Sequence, residues 1–158
     1  MTAGAAARTW VVRPEVPFRA VHAALLGAGW VGGPVTLFPP LVRDEPEVAR
    51  YRRAGEVATY ELDPVAWLRL LHSPDSPPGL PVLQDADILE LLELPGSDIE
   101  SAEGLLRGVL AAGELRLARA VPKLTRIRYG GVPPVVAGAA ARSLTRIEGS
   151  GPGSRRSP

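Results

Sequence analysis

With 158 residues, 46% of them hydrophobic, the chain is long enough for one compact core or two small domains. It contains no cysteine, which excludes a disulfide framework, thiol chemistry and the thiolate ligands of most structural zinc sites. The formal net charge of +1 conceals a polarity: residues 1–100 carry 8 arginines against 14 acidic residues, a net −6, whereas residues 101–158 carry 10 basic residues against 3 acids, a net +7.

The first nine residues are alanine-rich and lack the charged start and apolar run of a secretory signal. Prolines, glycines or charges interrupt every apolar run, so no stretch reaches the length of a membrane span. These features predict a soluble, cytoplasmic protein with no membrane partner.

Thr9 to Arg13 carries strand-type residues before Pro14 and predicts a short strand. From Pro17 to Ala28, Phe18, Val21, Ala24, Leu25 and Ala28 recur at helical spacing, which predicts a helix ending at Gly29. Val35 to Phe38 reads as a strand stopped by Pro39 and Pro40, and the polar run Arg43 to Arg53 carries no clear period. Glu56 to Leu62 alternates with period two, the pattern of a half-buried strand. Asp63 and Pro64 then supply an N-cap and a first-turn proline for a helix carrying Val65, Leu68 and Leu71 on one face. Residues 73–81, with four prolines and a glycine, continue neither element and predict a linker.

Four helical patterns follow. The first runs from Asp85 to Leu94 and stops at Pro95-Gly96. The second opens on Ser97-Asp98-Ile99-Glu100, which reads as a capping box. The third begins near Ala118, with Pro122 in its first turn, and ends at Gly130-Gly131; the fourth starts at Pro133-Pro134 and places Val136, Ala140, Ser143, Leu144 and Ile147 on one stripe. Residues 149–158 are too polar and too rich in glycine and proline to bury anything, and predict a disordered tail. The organisation expected is an N-terminal α+β lobe over residues 1–72, a linker over 73–81, helical repeats over 82–148 and the tail.

Aligning the alanine-rich ends of the second and fourth helices, Ala112-Gly113-Glu114-Leu115 on Ala141-Arg142-Ser143-Leu144, gives an offset near 30 residues, with two helices per unit. The run Leu110 to Leu115, then Arg119-Ala-Val-Pro-Lys-Leu124, then Pro134 to Ala137 and Ala139 to Leu144, resembles the HEAT-like repeats, including the variant named after phycobilisome lyases. It departs from them at Arg116-Leu117, where a Gly-Asp turn is usual, and at the start of the last helix. The resemblance implies a short helical stack and a role in protein binding or scaffolding, and together with the strand and helix patterns of residues 1–72 it makes the expected chain α+β, a small N-terminal lobe packed on that stack with a non-catalytic role; fold alone does not carry that function across.

Candidate chemistry is sparse. Gly27-Ala-Gly29-Trp-Val-Gly32 matches the letters of a dinucleotide fingerprint, but a helix precedes it and strand-type residues follow, the reverse of the order that brings a pyrophosphate to a helix N-terminus. His22 and His72 are the two imidazoles, and neither has a second ligand at metal spacing; His72 to Asp75 holds triad residue types as sequence neighbours that cannot adopt triad geometry unaided. No cofactor, no metal and no catalytic residue is therefore expected. Arg119, Lys123 and Arg126 share one face of the third helix, and Arg142 and Arg146 recur on the fourth, so these five form the candidate site for an anionic partner. Against it stands pairing with the acidic helix that holds Asp85, Asp87, Glu90 and Glu93. The segment Arg52 to Pro64 is also similar to the wing and following helix of ArsR-like winged-helix regulators. Two functional expectations result: a protein-interaction module, and a nucleic-acid-binding module using the basic helices.

Overall fold

The computed structural model describes residues 7–35 and 45–149. The fold is α+β, and the chain divides into two compact units, residues 1–83 and 84–158.

The first unit is a five-stranded antiparallel sheet with one helix on it among the described residues. Its strands are β1 (Arg8–Val12), β2 (Val31–Pro34), β3 (Val48–Arg53), β4 (Glu56–Asp63) and β5 (Leu68–Ser73), and the helix α1 (Phe18–Gly27) lies between β1 and β2 in sequence. The spatial order is β1-β5-β4-β3-β2, so four strands form a meander and β1 closes beside the last of them. Phe18, Val21 and Leu25 of α1 pack with Val12, Tyr51, Ala58, Tyr60, Leu62 and Leu71, which alternate along their strands as one sheet face requires. The rings of Phe18 and Tyr60 lie 4.9 Å apart, tilted by 58°. Arg53 closes the far end of α1: its guanidinium lies 4.3 Å over the Trp30 ring and donates to the Ala28 carbonyl.

A buried ion pair holds the other end of this core. Arg69 of β5 is 4% exposed, sits 3.0 Å from Glu45 and donates to the Pro14 carbonyl, while Glu45 also accepts from the Phe18 backbone N–H at the start of α1. One carboxylate therefore serves both a charge on the sheet and a free amide of the helix.

Three expectations are corrected here. The helix read from Pro64 to Leu71 is a tight turn followed by strand β5. Asp63 Oδ1 accepts from the Val65 and Ala66 amides, as an N-cap would, but Trp67 then takes a positive φ of 54° and redirects the chain into the sheet. With a strand where the helix should stand, the winged-helix likeness of Arg52 to Pro64 is reduced to the β3–β4 hairpin. The expected linker over 73–81 belongs to the first unit: Leu80 is buried in its core, the Arg13 amide bonds to the Pro81 carbonyl, and Val82 bridges Val12. The polar run up to Arg53, which showed no period, ends in β3, whose Arg50 and Arg52 point away from α1. Of the strand expected over residues 35–38, only Val35 is described, and its amide bonds to the Val48 carbonyl.

The second unit is helical among the described residues: α2 (Asp85–Leu91), α3 (Ile99–Glu114), α4 (Val121–Tyr129, entered through a 3-10 turn at Ala118–Ala120) and α5 (Pro134–Gly149). Helix α2 packs on α3, α4 on α5, and α3 on α5. The α3–α5 contact is close because it is built from small residues. Ala111, Ala112, Gly113, Ala139, Ala140 and Ser143 are all buried, and a Cβ built on Gly113 would run into the Ser143 side chain. The cap of α3 is Asp98, which accepts from the Ser101 amide, one residue beyond the Ser97 box read from the sequence. Of the tail expected over residues 149–158, only Gly149 is described, as the last residue of α5.

Candidate functional site

Helix α4 and its entry turn carry Arg119, Lys123 and Arg126, and α5 carries Arg142 and Arg146. They do not form one open stripe. Arg119 lies 3.6 Å from Asp85 at the start of α2, Lys123 pairs with Glu93 just after α2, and Arg146 engages both carboxylate oxygens of Glu114 on α3 at 3.0 and 3.3 Å. Arg126 and Arg142 are exposed and have no ion-pair partner among the described residues. The charge polarity of the sequence thus falls inside the helical unit. Cut at the boundary of the two units, residues 1–83 hold 8 basic and 8 acidic residues, and residues 84–158 hold 10 and 9. Exposed pairs of this kind contribute little stability each, but they cancel the local field that a phosphate backbone would need.

A concave feature lies among the described residues of this unit. Where the α2–α3 and α4–α5 loops come side by side, a groove of about 190 Å³ is lined by Leu92, Leu94, Leu105, Ile127 and Val132, with Glu93, Lys123 and Arg126 among its polar walls. Leu92, Leu105 and Ile127 are buried and Leu94 and Val132 partly so, which leaves most of the apolar lining packed and the open surface of the groove more polar than apolar. Gly96 sets the approach of the two loops: with φ at 72°, a Cβ there would stand 3.0 Å from Leu105 and 3.7 Å from Val132. Sequence reading missed this groove, because its lining comes from two helices and two loops, and its only local signals are the glycines at the loop turns.

The remaining chemistry-bearing residues are held in structural contacts. His22 Nδ1 lies 2.8 Å from the Tyr51 hydroxyl, beneath α1 and beside the Phe18 ring. His72 stands in β5, not at a helix end, between the Thr9 hydroxyl at 3.1 Å and Glu61 at 3.2 Å. Hydroxyl, imidazole and carboxylate follow in triad order across three neighbouring strands, β1, β5 and β4. The Ser73 hydroxyl donates to the Asp75 carbonyl. In the glycine-rich run, Gly29 and Gly32 have positive φ values: Gly29 lies in the turn out of α1, and Gly32 lies against the Arg50 carbonyl in the β2–β3 pair, where it serves close strand approach. Burial pushes the Tyr51 hydroxyl up to about 12 and raises that of Tyr60 further.

Among the described residues, no three His, Asp or Glu side chains come together in a way that could hold a metal ion, and no helix is long and apolar enough to cross a membrane. Comparison with protein-family models, with curated proteins and with solved structures finds no match to the chain.

Proposed function

We propose that this chain is a non-catalytic, cytoplasmic protein-interaction module whose helical unit, a HEAT-like pair of hairpins, holds a protein partner. The observation that carries this reading is the pairing of Arg119, Lys123 and Arg146 with acids of the same unit, beside an open groove of mixed polar and apolar lining. A phosphate-binding face would need those cations free, whereas a protein surface combines an apolar centre with a rim of mixed charge. The helix order, with α2 on α3, α4 on α5 and small residues where α3 meets α5, supports the HEAT-like assignment.

Two measurements test it. The purified chain is titrated with a labelled DNA duplex and a single strand from low to physiological salt, and no binding is expected at any concentration of salt. In cells of its own source, a photo-crosslinking residue in place of the exposed Tyr129 is expected to yield a discrete protein adduct. Micromolar nucleic-acid binding that weakens steeply with salt, and that is lost in Arg126→Ala with Arg142→Ala, would replace this reading by the nucleic-acid one.

A further inference from the structure

We infer that the side of the sheet facing away from α1, where β2, β3 and β4 lie together, is a further contact surface, for a protein segment that presents paired carboxylates beside an apolar side chain. It belongs to the first unit, so it goes beyond the reading of the helical unit and does not depend on it.

The arginines of β3 divide by face. Arg53 is taken up by the fold: it lies over the Trp30 ring and bonds to the Ala28 carbonyl, Glu56 and Asp75. Arg50 and Arg52 lie on the other face, where both are exposed and neither side chain has a partner among the described residues. Two like charges on neighbouring positions of one strand face repel each other, and an anion placed between them relieves that repulsion. Their planar donors are also unoccupied, which suits carboxylates. Side chains two apart on a strand stand about 7 Å from each other. Acidic residues two apart on a strand, or one turn apart on a helix, have a matching reach.

Apolar surface on both sides of Arg52 narrows the occupant. The sheet register sets Val31 and Val57 directly across from it on the two neighbouring strands. Trp30 is buried in the core under α1, so the next residue, Val31, turns to the open side. Val31 is 73% exposed and Val57 51%. A free phosphate or a nucleic-acid backbone would leave both valines in water, whereas a protein segment covers them and gains in proportion to the area removed. Base stacking is poorly served as well. Of the rings on the five strands, Trp10, Tyr51 and Tyr60 pack on the α1 side, and His72 is bonded to Glu61.

The test is to pan a random 12-residue peptide library, displayed on phage, against the full chain at physiological salt. The selected peptides are expected to carry two Asp or Glu two to four positions apart with a Leu, Ile, Val or Phe close by, and to shift the amide resonances of Arg50, Arg52 and Val57. Arg50→Gln with Arg52→Gln leaves the strand pairing untouched and should weaken these peptides about tenfold. Arg50→Glu with Arg52→Glu should select basic peptides in their place. Arg126→Glu, in the helical unit, lowers the net charge as much as the double glutamine change and should leave binding as it was. Failure to enrich peptides, enrichment without paired acids, retention of the same peptides by the double glutamine variant, or an equal loss in Arg126→Glu overturns the inference. So do binders that leave the Arg50, Arg52 and Val57 resonances unshifted. None of these outcomes bears on the helical unit, whose reading is decided by the nucleic-acid titration and the Tyr129 crosslink.

Discussion

The hydroxyl of Ser143 donates to the Val109 carbonyl at 2.8 Å, tying α5 to α3 at a point where Gly113 has no side chain to hold the helices apart. A buried serine can stay in such a contact only because its polar hydrogen is satisfied by the neighbouring backbone, and the distance needed for that bond is set by the glycine.

Gly113→Ala should therefore destabilise the chain by about 1–3 kcal/mol, because the new methyl meets the backbone-anchored Cβ of Ser143 as well as its hydroxyl. Gly104→Ala is the control. Its Cβ would meet only the far end of the Leu94 side chain, and it gains about 0.5–1 kcal/mol of helix preference, so its urea midpoint should match or exceed that of the parent. Equal losses for the two variants would argue against the close α3–α5 approach.

At the start of α3, the two candidate caps separate cleanly. Asp98 receives the Ser101 amide at 2.7 Å, and this bond holds its carboxyl below the ordinary value of 3.8. Asp98→Ala should lower the melting temperature by a few degrees, and Ser97→Ala should leave it unchanged. A group whose pKa is depressed on folding adds stability that is present above its unfolded value and lost as pH falls through the folded one. The difference between parent and Asp98→Ala should consequently shrink as pH falls below the ordinary carboxyl value, as followed by thermal unfolding at successive pH values.

Removing one member of the Arg69–Glu45 pair leaves the other charged in a site that water barely reaches. Arg69→Met should cost about 3–5 kcal/mol in urea unfolding. The double variant Arg69→Met with Glu45→Gln should recover part of that loss, because the orphaned charge is gone.

The raised hydroxyls of Tyr51 and Tyr60 give the chain an alkaline weakness. The folded state keeps their protons to a higher pH than the unfolded chain, whose tyrosines ionise near 10, so their contribution is intact below that pH. Stability should decline as pH rises from 10 toward 12. Urea midpoints at pH 9, 10 and 11 should show the decline, and Tyr60→Phe should make it shallower.

Elements whose pattern comes from one buried face were legible in the sequence: α1, β4 and the four C-terminal helices lie within a few residues of where periodicity puts them. The failure at β5 has a physical cause. Leu68, Arg69, Leu70 and Leu71 are all buried, so the strand between β1 and β4 shows no period of two, and the spacing of its leucines with Val65 imitates a helix. Asp63 completes the imitation, since its bonds to the next amides are those of a cap. Only the pairing of β5 with strands distant in sequence distinguishes the two outcomes. The candidate cations were legible as residues, but their acidic partners come from other helices, and so does the groove. A window along the chain sees neither.

Leu83 bonds to the first strand through its amide, and the next residue, Gln84, already receives α2 by donating its own amide to Asp87. The seam between the two halves is thus one peptide bond wide. Anyone dissecting the molecule for expression has a single place to cut: a fragment ending in the proline-rich run would carry a sheet stripped of its last stitches, and one beginning there would trail a strand-pairing segment with nothing to pair.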